Sequence, residues 1–235
     1  MTANERRALL ERLRDGLIVS VQAYDDSVLA APEAIALLAR CAVANGAVAV
    51  RVEGAARLAA VRRAVAVPIV GLIKRRHAGF EPYITSTLEE IERVVAAGAD
   101  VVAFDATGRP RPGALAVEDL VRETLKRGAL ALADCATLED VAAAVAAQAD
   151  AVATTLAGHT PATQGRSLPA IDLVAAAAAL HPFAICEGGI ATPSQARAAF
   201  AAGAAAVVVG TAITNVDALV RSFAAAAPRT KGFAT

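Results

Sequence analysis

The 235 residues carry 23 Lys and Arg against 23 Asp and Glu, a formal net charge of zero that gives no electrostatic case for nucleic acid or an anionic membrane. Hydrophobic residues make up 56% and aromatic residues only 3%, so a large core has to be assembled mostly from Ala, Val, Leu and Ile. The three cysteines, Cys41, Cys135 and Cys186, lie far apart and form no CxxC pattern, which reads as small buried residues in a reducing compartment.

The opening stretch MTANERRALLERLRDG has alternating charges and no apolar h-region, which argues against a secretory signal. The Ala/Val runs are broken by Gly, Pro or charge too often to span a membrane, and a soluble cytoplasmic protein is expected. A helix is predicted over about 3–14, stopped by Asp15-Gly16. Strand 1 is predicted over Leu17 to Ala23, a helix over Pro32 to Ala44, strand 2 over Ala47 to Glu53 and a helix over Ala55 to Ala64. Strand 3 is predicted over Pro68 to Lys74. The loop RRHAGFEPYI follows, then a capping box at Ser86 to Glu89 that opens the next helix. Strand 4 is predicted over Val101 to Ala106, a helix near Val117 to Arg127 and strand 5 over Ala129 to Cys135. Thr137 is the expected cap of the helix after strand 5, and strand 6 is predicted over Ala151 to Leu156. An Ala-rich helix precedes strand 7, which ends in Glu187-Gly188-Gly189. Thr192, Pro193 and Gln195 then read as N-cap, first helical position and capping-box partner. Strand 8 covers Ala205 to Val209 and ends in Gly210-Thr211.

Strands alternate with helices, and the strands are apolar runs without period-two polarity, as in a parallel sheet covered on both faces. A weak repeat supports this. ANGAVAV, AAGADVVAF, AAQADAVAT and AAGAAAVVV recur about fifty residues apart, two βα units each, so that eight strands follow. Gly46, Gly98, Gln148 and Gly203 hold equivalent places in the four copies, where a left-handed helix C-cap is expected. An open doubly wound sheet would be expected to show a Gly-rich fingerprint after strand 1, and SVQAYDDS has none. The expected fold is therefore a single-domain (β/α)8 TIM barrel over residues 1–235.

In such a barrel the loops after strands 7 and 8 commonly hold a phosphate. Gly188, Gly189, Gly210 and Thr211 stand at those places, where backbone N–H groups can approach phosphate oxygens. The odd strands carry a second regularity. Gln22, Lys74, Asp134 and Glu187 lie at nearly equal depth on strands 1, 3, 5 and 7, above Ser20, Leu72, Leu132 and Ile185. Alternate strands contribute to one interior layer, so these four side chains are expected to meet at the C-terminal mouth, with Arg51 of strand 2 beside them. Simpler roles also fit each residue alone: a solvated lysine, an aspartate capping a helix, a glutamate paired with Arg51. Asp105 in FDATGRP is expected to brace its loop. The coincidence of depth argues for function, since a buried polar cluster costs stability unless its members pair.

The segments LIVSVQA, GLIKR, YITSTLEE, AGADVVAFDAT, RPRP, ADCATLED, TTLAGHTPAT, CEGGIATPSQA and VVVGTAIT carry a specific resemblance, from about residue 15 to 223. The chain resembles the N-acetylmannosamine-6-phosphate 2-epimerases of sialic-acid catabolism. The resemblance implies a barrel of the ribulose-phosphate-binding kind that interconverts N-acetylmannosamine 6-phosphate and N-acetylglucosamine 6-phosphate, without metal or redox cofactor. It makes Lys74 and Glu187 the acid/base residues, lets Gln22, Arg51 and Asp134 bind or orient the sugar, and gives Gly188, Gly189, Gly210 and Thr211 the phosphate. Four positions depart from the family pattern. Val21 stands where Cys is frequent, Ser86 replaces Pro, His159 replaces Tyr, and Asn215 takes the place of a phosphate-binding Arg. Asn offers only a neutral hydrogen bond, weaker than a charge-assisted one. The expected partner is the small amino-sugar 6-phosphate, with no nucleic acid and no membrane; a homodimer is compatible with the chain. Two other activities stay open: a Schiff-base aldolase using Lys74 as nucleophile, and a sugar-phosphate-binding barrel without catalysis.

Overall fold

The computed structural model describes residues 1–24 and 26–228; residues 229–235, which the single-domain expectation includes, lie outside the described residues. A helix α1 (Ala3–Leu13) leads into β1 (Gly16–Val21). The chain then alternates through α2 (Pro32–Ala44), β2 (Ala49–Glu53), α3 (Ala55–Ala64), β3 (Ile69–Leu72), α4 (Leu88–Ala96), β4 (Val101–Asp105), α5 (Val117–Lys126) and β5 (Leu130–Asp134). The second half continues with α6 (Leu138–Ala146), β6 (Ala151–Ala153), α7 (Ile171–Leu180), β7 (Ala184–Glu187), α8 (Pro193–Ala201) and β8 (Ala206–Val209), followed by α9 (Thr211–Thr214) and α10 (Val216–Ala226). The strands pair in sequence order and close, β8 against β1, into an all-parallel (β/α)8 barrel. Among the described residues no helix is long and apolar enough to cross a membrane.

Both faces of the strands are buried, which is why their sequences lack alternation. Outward residues such as Val19, Val50, Val102 and Ala131 pack with Ile35, Leu58, Ile91 and Leu120 of the surrounding helices. Inward residues form a separate cluster in which Leu72, Leu132 and Ile185 from odd strands, with Phe183 just before β7, meet small residues of even strands, Ala49, Ala103, Ala153 and Ala206. This large-against-small arrangement fills the barrel without many aromatics. Leu9 and Leu13 of α1 join the same cluster, and Arg14 lies over the Phe183 ring at 5.1 Å, so the first helix closes the N-terminal end.

The repeat has a structural cause. Gly46, Gly98 and Gly203 adopt φ of 100, 99 and 98°, and Gln148 adopts φ of 62°, each just past a helix C-cap. The cap that opens α4 lies one residue later than expected. Thr87, not Ser86, accepts from the backbone N–H of Glu90, and Glu90 rather than Glu89 reaches back. This register turns Ile91 and Val94 into the core, and Glu90 also accepts from Ser86 N–H at 2.7 Å. Strands 3 and 6 are shorter than predicted. Beyond Leu72 the chain enters an antiparallel bridge between Lys74 and Ile84. Beyond Ala153 the Thr154 N–H still donates to the Ile185 carbonyl at 3.1 Å, and the Thr154 hydroxyl then meets the Glu187 backbone at the end of β7.

Candidate active site

Inward parity continues past the strand ends. A cavity of about 730 Å³ opens at the C-terminal mouth, with Gln22, Arg51, Lys74, Thr155, Glu187 and Gly210 among its walls. They follow the two-residue period of the inward positions Ser20, Ala49, Leu72, Ala153, Ile185 and Val208. Asp134 belongs to the same layer but is fully buried and does not line the cavity. It lies beneath Arg51, whose Nη1 and Nη2 donate to its Oδ1 and Oδ2 at 3.1 and 2.7 Å. Asp105, at the equivalent depth on β4, accepts from the Thr107 N–H and hydroxyl at 3.0 and 2.6 Å and from Arg109 Nη2 at 2.7 Å, and so braces its loop.

Two hydrogen-bonded groups face each other across the mouth. On one side Lys74 Nζ donates to Gln22 Oε1 at 2.6 Å, and Gln22 Nε2 donates to Ser20 Oγ at 2.6 Å. On the other, Glu187 Oε2 lies 2.8 Å from Arg51 Nη1. Thr155 Oγ1 is 2.6 Å from Asp134 Oδ1 and 3.2 Å from Glu187 Oε2. Thr154 fixes the Glu187 backbone: its hydroxyl donates to the carbonyl at 2.9 Å and accepts from the N–H at 3.1 Å.

This environment moves both candidate acid/base groups toward neutral pH. Burial pushes the Glu187 carboxyl up to about 7, with Arg51 opposing and Asp134 reinforcing the rise. The Lys74 side chain keeps some solvent exposure, yet its ammonium end reaches into the mouth. Loss of water there lowers its pKa, and the Arg51 guanidinium adds to the effect. For Arg51 burial works against the charge, but Asp134 and Glu187 more than offset it and hold the guanidinium above its ordinary value. Burial, then the Asp134 charge, raises the Tyr83 phenol, which also lines the cavity.

The glycine end of the cavity is formed as the strand order suggests. Gly188, Gly189, Gly210, Thr211 and Asn215 all line it. Gly189 has φ of 74°, and a Cβ there would fall 2.3 Å from the Leu168 Cβ, so only glycine fits. The backbone N–H groups of Gly188, Gly189 and Thr211 meet no protein acceptor among the described residues. Asn215 has a second duty: its Oδ1 accepts from Ala218 N–H at 3.0 Å and caps α10. Thr155, Tyr83 and Ser20 are the site groups that the odd-strand pattern passed over. Reading equal depth on even strands as well would have found Thr155.

The comparisons with known proteins agree with this geometry. Residues 35–229 match the family model described as "Putative N-acetylmannosamine-6-phosphate epimerase". A Thermosynechococcus vestitus protein named "Putative N-acetylmannosamine-6-phosphate 2-epimerase" is 47% identical over 220 residues, covering 93% of this chain and 96% of its own. A Synechococcus elongatus protein of the same name is 47% identical over 226 residues, covering 94% and 97%. Among solved structures, the N-acetylmannosamine-6-phosphate 2-epimerase of Clostridium perfringens superposes with a TM-score of 0.89 at 33% identity, covering 93% of this chain and 96% of that one. The chain belongs to the N-acetylmannosamine-6-phosphate 2-epimerase family.

Proposed function

We propose that the protein interconverts N-acetylmannosamine 6-phosphate and N-acetylglucosamine 6-phosphate by removing and returning the proton at C2. The observation that carries this reading is the pair Lys74 and Glu187, which open on one cavity from opposite sides of the barrel with pKa values displaced toward each other. Inverting C2 needs a proton taken from one face and supplied to the other. A lysine held below its ordinary pKa and a carboxyl held above its own, on opposite walls, suit that exchange.

In the open-chain sugar, deprotonation at C2 sends the electron pair toward the C1 carbonyl and leaves an enolate. Return of a proton on the other face inverts the centre, and the C1 oxygen needs a donor while it carries charge. Neutral Lys74 or ionised Glu187 serves as base according to the direction of reaction, and its partner serves as acid. Gln22 and the Arg51 guanidinium line the path of the sugar. Asp134 acts from beneath by orienting Arg51. The N–H groups of Gly188, Gly189, Gly210 and Thr211 receive the phosphate, with Asn215 at the edge of that pocket. A sugar phosphate is too polar to cross a bilayer unaided and stays in the compartment where it is formed, which supports a cytoplasmic place for the activity.

Proton NMR of N-acetylmannosamine 6-phosphate with the enzyme in deuterium oxide tests the reading. Appearance of the C2 epimer is expected, with loss of the C2–H signal where the abstracted proton equilibrates with solvent. Binding without epimer would leave a non-catalytic barrel. Cleavage of the sugar, with an adduct on Lys74 trapped by borohydride, would make it a Schiff-base aldolase.

A further inference from the structure

The Thr155 hydroxyl stands between two carboxylates. The Asp134 Oδ1 and Glu187 Oε2 that it approaches at 2.6 and 3.2 Å are also the two oxygens that Arg51 Nη1 touches, at 3.1 and 2.8 Å. One hydroxyl and one guanidinium nitrogen thus bridge the same pair of oxygens. Oε2 is taken up by these donors, whereas Oε1 is engaged by no described side chain, and Glu187 lines the cavity. The Glu187 backbone is independently pinned by Thr154, so what remains to be set is the orientation and charge of its carboxyl.

We propose that Thr155 is a positioning residue for the acid/base step: it lets Glu187 ionise beside buried Asp134 and keeps Oε1 turned toward the substrate. The inference rests on the epimerase reading and adds a residue to it. The physical reason is screening. A hydroxyl hydrogen placed between two carboxylate oxygens reduces their mutual repulsion, and that repulsion is strongest when both are ionised. The charged or titratable groups around Glu187 are Arg51 from β2, Lys74 just past β3, Asp134 from β5 and the neighbouring Cys186 of β7, with Tyr83 of the loop after β3 near Asp134. Arg51 is already committed to both carboxylates, and Lys74 points to Gln22. Thr155 is the neutral donor that can follow a change of charge on Glu187 without adding charge itself.

Thr155→Val keeps the shape and removes the hydroxyl, and Thr155→Ser restores it. In Thr155→Val kcat should fall by about tenfold. KM should change by less than about threefold, because the phosphate is held by β7 and β8 glycines. The limb of the kcat profile that reports Glu187 should move up by about one pH unit in both reaction directions. Thr155→Ser should return both quantities toward wild type. A purely structural threonine would lower kcat without moving that limb. An unmoved or lowered limb in Thr155→Val, or a serine variant that behaves like valine, would overturn the proposal. Should Thr155→Val misfold by circular dichroism, Thr155→Ala is read in the same way. Carbon NMR titration of the Glu187 carboxyl in wild type and variant needs no turnover, so it tests Thr155 even if the wild type fails to epimerise.

Discussion

Lys74 and Glu187 stand at the ends of diametrically opposed strands: in the closed order β1 to β8, β3 and β7 are equally far apart in either direction round the barrel. A sugar lying across the mouth therefore has one of them on each side. Lys74→Ala should abolish epimerisation while circular dichroism and much of the phosphate binding stay intact, since the glycines proposed to hold the phosphate sit on other strands. Lys74→Arg should fail as well, because a guanidinium is effectively never deprotonated and cannot act as the base. Near-normal turnover in Lys74→Arg would remove Lys74 from the proton transfer.

Glu187→Gln preserves shape and loses the titrating proton, so turnover should drop by about a hundredfold or more. It should also change how stability depends on pH. The folded-state pKa of about 7 is raised from an ordinary 4.5, so ionising Glu187 is harder in the folded protein than in the unfolded one. Its contribution to stability is fully present below pH 4.5 and is lost as pH rises to about 7. The glutamine variant lacks that loss. Its melting temperature relative to wild type should be more favourable at pH 8 than at pH 5, and equal differences at the two pH values would contradict the burial argument.

Much of this was legible in the sequence where punctuation and packing agree. Pro32 at a first helical position and Asn45-Gly46 at the far end bound α2 as predicted, because cap chemistry is local. The capping box of α4 was misplaced by one residue because Ser86-x-x-Glu89 and Thr87-x-x-Glu90 both satisfy the pattern, and the choice depends on which register buries Ile91 and Val94. Equal depth on alternate strands located Gln22, Lys74 and Glu187 on one cavity. The same rule could not tell that Asp134 would be buried against Arg51 rather than open to the cavity, since that depends on how far a guanidinium from β2 reaches over its own layer. Thr155 was hidden for another reason: a threonine carries no charge to draw notice, and its meaning comes from the two carboxylates that only the folded barrel brings to it.

Arg51 is 2% exposed and stands between Asp134 and Glu187. Arg51→Met would leave two carboxylates at the barrel mouth without their cation, at a cost of about 3–5 kcal/mol near neutral pH. Without the guanidinium both carboxylates gain affinity for protons, and protonation relieves the repulsion between them. The deficit in urea unfolding relative to wild type should therefore be smaller at pH 5 than at pH 8. A deficit independent of pH would mean that Arg51 contributes through packing of its stem and not through its charge.

Asn215 joins two demands at one position, the glycine-lined end of the cavity and the cap of α10. An arginine there would bring a charge-assisted donor toward the glycine loops, and such bonds to phosphate are roughly twice as strong as neutral ones. It would also give up the cap, since arginine has no acceptor for the Ala218 N–H, at a cost of about 1 kcal/mol. Asn215→Arg should therefore lower KM for the phosphorylated sugar while lowering the melting temperature by a few degrees. The two effects are separable: Asn215→Ala loses the cap without gaining the charge, so it should share the fall in melting temperature and show no fall in KM. An Asn215→Arg variant with unchanged or raised KM would mean that this edge of the cavity does not meet the phosphate, and that Asn215 serves the helix alone.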